Sequence, residues 1–369
     1  IFITGASRGI GLAIALRAAR DGANVAIAAK SSVPNPKLPG TIHSAAEAVE
    51  AAGGAALALK CDIREENEVR AAVAATVDAF GGIDILVNNA SAIWLRGALD
   101  TPMKRFDLMQ QVNARGSFLC AQACLPHLLQ APNPHILTLA PPPNLDPKWW
   151  APHTGYTLAK MGMSFVTLGL ASEFGPQGVA VNALWPRTVI ATDAINMIPG
   201  VEASRCRKPE IMADAAHAVL VRQAAGFHGH FLIDDDVLMA AGMLDFDRYA
   251  VDPAQRLLPD LFLDLRDPEP RMKYLHTMVR VRDLDASLRF YCEGLGLKET
   301  RRMENTAGKF TLVFLAADET PGAEIELTYN WPDAQGHVED YGSARNFGHL
   351  AFRVDDIYRT CTHLQAMGY

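Results

Sequence analysis

Residues 4–11 read Thr4-Gly5-Ala6-Ser7-Arg8-Gly9-Ile10-Gly11, between a short apolar run and an Ala-rich stretch with helical periodicity. Glycines in such a turn let the backbone approach a pyrophosphate closely, and the following helix offers free N–H groups at its first turn. A glycine-rich turn alone is a weak signal, but this one lies in the first strand–helix unit of the chain. The sequence therefore predicts a cofactor-binding loop formed by Gly5, Ala6, Ser7, Arg8, Gly9, Ile10 and Gly11.

Short apolar runs alternate with longer helical stretches between residues 1 and 233. This alternation predicts an α/β fold, a Rossmann-type doubly wound parallel sheet with helices on both faces. The predicted strands are Ile1–Thr4, Asn24–Ala29, Ala55–Lys60, Ile83–Asn88, His135–Ala140, Gly178–Leu184 and His230–Ile233. The helices between them include Leu12–Asp21, Glu65–Phe80 and Tyr156–Phe174.

The end of the second predicted strand indicates which nicotinamide cofactor is bound. NAD-specific folds place an acid there to hold the ribose 2′-hydroxyl, but this strand ends Ala28-Ala29-Lys30. Lys30, together with Arg8 of the glycine-rich loop, would instead pair with a 2′-phosphate. The alternative is that both are solvated surface cations. We favour NADP(H).

A second pattern follows a Pro- and Asp-rich tail and the linker 268–271. It predicts a partial α+β domain of βαβββ type over residues 272–369, separate from a first domain over residues 1–267. A strand followed by a helix occurs twice in this part, as if at the beginning of two similar modules. This indicates a duplicated module whose second copy is incomplete. The predicted elements are strands Tyr274–Val281, Phe310–Leu315, Glu324–Tyr329 and His349–Val354, and helices Leu284–Tyr291 and Asp356–Met367.

Composition and charge narrow the classes of partner. The net charge is -7 and no long basic run occurs, which argues against a nucleic-acid binder. No apolar run reaches membrane-spanning length. The six cysteines are scattered, as expected in a reducing compartment, so we expect a cytoplasmic protein without membrane contact. Because the sequence begins inside a predicted strand and its last module is incomplete, we expect both ends to continue beyond the given residues.

Several motifs occur in an order that resembles the short-chain dehydrogenase family. They are Thr4–Gly11, Asp62, Asn88-Asn89-Ala90-Ser91, Asn113 and Tyr156-x-x-x-Lys160. Three longer runs are similar to its hydroxysteroid-dehydrogenase-like 2 subgroup over residues 1–267: residues 84–93, 156–160 and 181–186. The resemblance implies an oxidoreductase acting on a small carbonyl compound or secondary alcohol, and a homo-oligomer.

The same resemblance assigns roles to individual residues. It implies that Asp62 holds the adenine and that Asn89 and Ala90 line the cofactor cleft. Tyr156 would donate and accept the proton, and Lys160 would bind the nicotinamide ribose. Residues four apart share a helix face, so we expect Lys160 to lower the pKa of Tyr156.

Asn113 and one missing serine complete the expected catalytic set. The resemblance implies that Asn113 steadies a relay of water and main-chain groups behind the tyrosine. The family places a serine at the end of the fifth strand, where this chain has Ala140, or Pro141 if the alignment shifts by one. Loss of one such hydrogen-bond donor typically costs about a hundred- to thousandfold in rate. We therefore expect weak reductase activity, and a cofactor-binding scaffold without catalysis is the alternative.

Three runs in the second domain resemble lactoylglutathione lyase (glyoxalase I) of the vicinal oxygen chelate group: residues 272–280, 326–331 and 347–351. The resemblance implies a divalent metal, zinc or nickel, held by His276, Glu326 and His349. The fourth ligand, a glutamate, would lie in a strand beyond the given sequence.

The same likeness implies that Arg280 and Asn330 hold the glutathione part of a substrate adduct. Taken singly, such residues are more often core or surface groups, and Glu326 could lie on a solvated strand face. Glutathione-dependent methylglyoxal detoxification is therefore a further alternative for the main activity of the parent protein. Met272 matches the beginning of free-standing members, which indicates a fusion of two formerly separate chains.

Overall fold

The computed structural model describes residues 1–35, 39–193, 195, 200–263, 273–317, 323–341, 347–353 and 361, with the backbone alone at 273, 274, 347 and 349–353. The chain forms two compact units, Ile1–Asp264 and Leu265–Tyr369. The predicted domain boundary at residue 267, the linker 268–271 and the helix Asp356–Met367 fall outside the described residues, apart from Cys361. Within the described part, no helix is both long enough and apolar enough to span a membrane.

The described residues of the first unit form a seven-stranded parallel sheet in the order β3-β2-β1-β4-β5-β6-β7. The predicted doubly wound sheet is confirmed, and each predicted strand matches an observed one to within two residues at either end. The strands are β1 (Phe2–Thr4), β2 (Asn24–Ala29), β3 (Ala55–Lys60), β4 (Ile85–Asn88), β5 (His135–Thr138), β6 (Ala180–Trp185) and β7 (Phe231–Ile233).

Helices cover both faces of this sheet. Alternate strand residues enter two separate apolar clusters, so Phe2 and Leu86 pack on one face while Ile3 and Val87 pack on the other. Such strands are buried on both faces, which explains why they are almost continuously apolar in sequence. The helices are α1 (Gly9–Ala19), α2 (Ile42–Ala51), α3 (Glu66–Phe80), α4 (Met103–Gln110), α5 (Gly116–Leu128), α6 (Pro147–Trp150), α7 (Thr154–Phe174), α8 (Glu210–Leu220) and α9 (Asp234–Ala240).

The strand order reverses between β1 and β4. From β1 the chain moves outward to β2 and β3 and then returns to add β4 on the opposite side. Loops that follow adjacent strands at such a point diverge to opposite faces and leave a crevice at the carboxyl ends of the strands. The glycine-rich loop after β1 and the Asn89 loop after β4 border this crevice.

The described residues of the second unit form a five-stranded mixed sheet in the order β12-β8-β11-β10-β9. Strand β8 runs parallel to β11, and the other pairs are antiparallel. This βαβββ arrangement with one further strand agrees with the predicted partial domain, although β9 was not among the predicted strands. The elements are β8 (Lys273–Arg280), α10 (Leu284–Leu288), β9 (Lys298–Asn305), β10 (Phe310–Ala316), β11 (Glu324–Asn330) and β12 (Phe347–Arg353).

Candidate active site

The glycine-rich loop forms a cradle at the beginning of α1. Gly5 and Gly9 adopt positive φ angles of 67° and 58°, which favour glycine. A Cβ atom added at Gly11 would lie 2.5 Å from the Asn89 side-chain nitrogen. The Arg8 side chain precedes α1 but does not cap it, so it leaves the N–H groups of the first turn to other acceptors. This geometry suits an anionic pyrophosphate.

Hydrogen bonds join this loop to the end of β4. The Thr4 hydroxyl accepts bonds from the backbone N–H groups of Asn89 and Ala90, at 3.0 and 3.1 Å. The Asn89 amide donates in return to the carbonyls of Thr4 and Gly5, at 2.8 and 3.1 Å. The predicted cleft residues Asn89 and Ala90 therefore lie against the glycine-rich loop.

Two of the predicted cofactor-binding cations, Arg8 and Lys30, place their charged groups near the carboxyl end of β2. The Arg8 guanidinium donates to the Ser31 hydroxyl at 3.1 Å and to the Gly40 carbonyl at 2.7 Å, just beyond β2. The Lys30 ammonium is largely exposed and lies 3.6 Å from a carboxylate oxygen of Asp62. Arg64 binds the same carboxylate more closely, and its hydrogen bonds lower the pKa of Asp62.

Asn113 lies in a π-helical turn, Gln111–Arg115, between α4 and α5. Its side chain is fully buried and binds the backbone of Ala92 twice: Oδ1 accepts from the Ala92 N–H at 2.7 Å, and Nδ2 donates to the Ala92 carbonyl at 3.1 Å. π-Helical turns inside helices are frequent at functional sites. In this structure the Asn113 side chain fixes the strand-end loop that follows Asn89 and Ala90.

Tyr156 and Lys160 lie one turn apart on α7 and are both buried. The Lys160 ammonium donates to the Leu139 carbonyl at 2.7 Å, just after β5, and lies 4.8 Å from the ring centroid of Trp185. α7 therefore presents both side chains at the carboxyl end of the sheet, next to the ends of β5 and β6.

Burial controls the titration of both groups. It raises the pKa of Tyr156, and the nearby Asp260 carboxylate raises it further. Burial also lowers the pKa of Lys160 to about 7, against an opposing effect of Asp260. The expectation that Lys160 lowers the tyrosine pKa is wrong for this structure, because burial and the Asp260 carboxylate both disfavour the phenolate.

Tyr156 and Lys160 line a cavity of about 400 Å³ that reaches back to Asn89. Ser91, Thr192 and Asp260 contribute further polar groups. Most of the remaining wall is apolar and includes Ile93, Leu95, Val189, Leu258 and Leu261. An apolar pocket with a few convergent polar groups is typical of a small-molecule site.

The second unit brings two of the three predicted metal ligands together. His276 of β8 and Glu326 of β11 lie on neighbouring strands, and their Nε2 and Oε2 atoms are 3.0 Å apart. Glu326 is 7% exposed, so the alternative of a solvated strand face is wrong for this residue. The Thr328 hydroxyl donates to its other oxygen at 3.0 Å.

The third predicted ligand, His349, lies in β12, where its backbone pairs with Met278. Its side chain falls outside the described residues. Among the residues that are described, no group of three or more His, Cys, Asp or Glu side chains is placed to hold a metal ion. The proposed glutathione contacts lie at the ends of β8 and β11: Arg280 borders a pocket with Tyr341, and the Asn330 amide donates to Glu339 at 2.8 Å.

The first unit combines a glycine cradle at a topological switch point with a Tyr–Lys pair at the same crevice, and the short chain dehydrogenase family matches residues 1–199. The chain belongs to the short-chain dehydrogenase family. Residues 273–369 match the Glyoxalase/Bleomycin resistance protein/Dioxygenase superfamily. The two units are referred to below as the dehydrogenase unit and the glyoxalase unit.

Curated relatives of the dehydrogenase unit carry the name hydroxysteroid dehydrogenase-like protein 2. The Danio rerio protein is 58% identical over 276 residues, which cover 74% of this chain and 66% of that protein. The Homo sapiens protein is 54% identical over 266 residues, which cover 72% of this chain and 63% of that protein. The chain thus spans just under two-thirds of the length of these relatives.

Solved structures also resemble the dehydrogenase unit. A dehydrogenase from Xanthomonas campestris is 85% identical with a TM-score of 0.71, covering 71% of this chain and 97% of that one. A short chain dehydrogenase from Mycobacterium thermoresistibile is 52% identical with a TM-score of 0.68. The match covers 71% of this chain and 94% of that one.

Ala140, which stands where the family has a serine, does not line the cavity of the dehydrogenase unit. It is 1% exposed and packs with Met163 and Ala183. Leu139 occupies the cavity wall at the end of β5. The apolar surroundings explain why alanine is suited to this position, since a hydroxyl there would need a buried partner.

The segment after α9, predicted as a tail, closes one side of the cavity. Trp185 Nε1 donates to the Leu261 carbonyl at 2.9 Å, and the Asn144 amide donates to the Phe262 carbonyl at 3.1 Å. Phe262 is buried, and its ring stacks near Tyr156 with centroids 6.1 Å apart. Sequence reasoning missed this contribution. The sequence feature that could have indicated this role is the acidic residue Asp260 inside an apolar run.

Proposed function

We propose that the dehydrogenase unit is an NADP(H)-dependent oxidoreductase that interconverts a carbonyl compound and a secondary alcohol. The observation that carries this proposal is the shared cavity of Tyr156, Lys160 and Asn89, which joins a proton donor to the cleft beside the glycine-rich loop. An apolar wall at this cavity suits a small, largely apolar substrate.

The residues of the crevice fit an NADP(H) molecule. Gly5, Gly9 and Gly11 leave the room that a Cβ atom would fill, so the loop would hold the pyrophosphate. Lys30 and Arg8 would pair with the 2′-phosphate beyond β2, and no unpaired acid lies at the end of that strand among the described residues.

Asp62, Asn89 and Ala90 would complete the cleft, with Asp62 beside the adenine and the other two along the nicotinamide half. Arg64 engages both oxygens of Asp62, which leaves the carboxylate fixed at the end of β3. Lys160 would hold the nicotinamide ribose, and Asn113 would keep the Ala92 backbone in place beneath it.

When bound, the reduced nicotinamide supplies a hydride to the carbonyl carbon. Tyr156 donates its hydroxyl proton to the carbonyl oxygen, which the raised pKa allows because the group stays protonated at neutral pH. The Lys160 ammonium, one turn away, then stabilises the phenolate that remains. In the oxidising direction Tyr156 takes the proton back.

A cofactor-binding scaffold with little catalysis is the second candidate function. The alanine at position 140 supports it, because neither Ala140 nor Pro141 contributes a hydroxyl to the cavity. The two candidates differ in turnover and agree in cofactor binding, so a rate measurement separates them.

For the glyoxalase unit we propose a divalent metal site of zinc or nickel built on His276 and Glu326, with His349 as the third ligand. The paired imidazole and carboxylate at 3.0 Å support this proposal, since both ligand types suit these metals. A glutathione adduct held by Arg280 and Asn330 is the proposed substrate class.

We also propose that the dehydrogenase unit forms a homo-oligomer. Phe118 of α5 and Phe165 and Leu168 of α7 are between 45% and 48% exposed, and exposed apolar groups of this size often mark an interface. Light scattering of the intact chain and of Phe165→Glu tests this, with a fall in mass expected for the variant and unchanged mass contradicting the proposal.

The oxidoreductase proposal is tested by following NADPH consumption by the intact chain against a panel of uncharged aldehydes and ketones, with Tyr156→Phe as the matched variant. We expect turnover that the variant lowers by about a hundredfold or more. NADPH binding without turnover on any carbonyl would favour the scaffold instead.

A further inference from the structure

Asp260 is the one acidic residue among the described residues that line the cavity of Tyr156 and Lys160. It lies between Pro259 and Leu261 in a run that is otherwise apolar. A carboxyl group in such a position loses the hydration it would have on the surface. Asp260 has no part in the proton transfer proposed for Tyr156 or in the cofactor contacts proposed for Lys160.

The backbone of Asp260 is held firmly against the end of β6. Its N–H donates to the Arg187 carbonyl at 3.0 Å, and the preceding Leu258 carbonyl accepts from the Val189 N–H at 2.9 Å. The bond from Trp185 to the Leu261 carbonyl fixes the other side. The carboxyl group is therefore carried into the cavity by a segment that is anchored before and after it.

The two carboxyl oxygens differ in their contacts. The Leu261 N–H donates to Oδ1 at 2.6 Å. No described residue donates a hydrogen bond to Oδ2, and Asp260, which lines the cavity, is partly exposed. A ligand in the cavity can thus reach Oδ2.

The groups that face Asp260 come from several elements. Burial raises the pKa of Asp260 to about 7; Asp234 of α9 raises it further, while the Leu261 N–H and Lys160 oppose the shift. Tyr156 of α7 and the Cys206 thiol also lie within its electrostatic reach. The acid form, with a proton on Oδ2, is therefore accessible near neutral pH, as in other apolar sites that keep a carboxylic acid neutral.

We propose that Asp260 in its acid form donates a hydrogen bond from Oδ2 to the carbonyl oxygen of an uncharged substrate, the contact that the missing serine hydroxyl would otherwise make. The inference rests on the oxidoreductase proposal. Asp260 keeps its proton throughout; Tyr156 alone transfers a proton to the oxygen, and the hydride joins the carbon. Substrates with a carboxylate next to the carbonyl are disfavoured as the pH rises above about 7, because the ionised form of Asp260 repels them.

The test compares Asp260→Asn, whose amide can donate at any pH, with Asp260→Leu, which cannot donate. Asp245→Asn, an exposed acid of the same segment, serves as the matched control. Each intact chain is assayed with NADPH against uncharged ketones and the matching oxo acids from pH 5.5 to 9. NADPH affinity and thermal unfolding are measured in parallel.

We expect Asp260→Leu to lower kcat/KM by about a hundredfold or more with NADPH affinity unchanged. The parent rate should fall as the pH rises above about 7, where the acid form of Asp260 is lost, and Asp260→Asn should fall less steeply, since only the titration of Lys160 then remains in this range. At pH 8 and above, oxo acids should react at least about tenfold more slowly than the matching ketones.

Three outcomes would overturn the inference alone while leaving the parent an active reductase. The first is a kcat/KM of Asp260→Leu within about threefold of the parent. The second is an equal loss of kcat/KM and an equal pH profile in the Asn and Leu variants. The third is a preference of the parent for oxo acids over the matching ketones. A parent that binds NADPH but reduces no carbonyl would overturn the oxidoreductase proposal, and this inference with it. If Asp260→Leu does not fold, the Asn variant and its pH profile decide.

Discussion

Lys30→Ala tests the proposed basis of cofactor choice. The Lys30 ammonium lies at the end of β2, 3.6 Å from Asp62, and its side chain is 60% exposed. Arg64 already binds the Asp62 carboxylate more closely, so Lys30 is available to a second anion. Arg8, anchored on Ser31 and Gly40, would remain as the other phosphate contact. The variant should therefore weaken NADPH binding without abolishing it.

The size of the effect follows from the exposure of Lys30. Two unit charges about 4 Å apart attract by about 1 kcal/mol in water, the appropriate limit for a largely exposed side chain. A phosphate monoester carries a charge of about -1.5 to -2, which raises this to about 1.5–2 kcal/mol. We therefore expect NADPH affinity to fall by about tenfold to thirtyfold. NADH lacks the phosphate, so its affinity should change little.

The assay is titration of the intact chain with NADPH and NADH, followed by nucleotide fluorescence at low and at high salt. The parent should prefer NADPH, and salt should reduce the preference because an exposed pair is screened. Lys104→Ala, which removes an exposed lysine at the start of α4, controls for the change in net charge. Equal affinities of the parent for the two cofactors, or an equal effect of both variants, would show that Lys30 does not select for the 2′-phosphate.

Three further predictions follow from packing and charge. Phe262→Ala should lower the free energy of unfolding by about 3–5 kcal/mol because it empties a buried aromatic site; calorimetry checks this, and a melting temperature shifted by less than about 2 °C would contradict it. Asp260→Asn should stabilise the fold more at pH 8 than at pH 5. A raised carboxyl pKa means that the parent loses stability as the pH rises from the unfolded value of about 4 through the folded value of about 7; the same gain in melting temperature at both pH values would count against it. In the glyoxalase unit, His276→Ala and Glu326→Ala should each weaken Zn²⁺ binding by at least about tenfold, whereas His337→Ala, which removes another carboxylate-paired histidine, should not. Titration calorimetry of the intact chain decides, and no Zn²⁺ binding by the parent would contradict the site.

The sheet of the dehydrogenase unit could be predicted because its strands are buried on both faces. Runs such as Asn24–Ala29 are almost continuously apolar and therefore indicate a parallel sheet. Antiparallel strands with one solvated face would alternate apolar and polar residues. Strand Lys298–Asn305 of the glyoxalase unit was missed for the opposite reason. It is rich in charge and almost entirely exposed, so hydrophobic periodicity gives no signal.

The candidate site could be predicted only where its residues are close in sequence or belong to ordered motifs. The spacing of Tyr156 and Lys160 predicts that they share a helix face, which the structure confirms. Their pKa shifts depend on burial and on Asp260, a residue a hundred positions later, and spacing carries no information about either. The closing of the cavity by the segment around Phe262 depends likewise on long-range bonds from Trp185 and Asn144.

Isotope transfer tests whether the dehydrogenase unit moves a hydride from NADPH to a carbonyl carbon. NADPH carrying deuterium at the reactive C4 position is incubated with the intact chain and an uncharged ketone that supports turnover, and the alcohol product is analysed by mass spectrometry. We expect one deuterium at the carbinol carbon of the parent's product and a rate of transfer about a hundredfold or more lower with Tyr156→Phe. Alcohol without deuterium, or equal transfer by parent and variant, would contradict it.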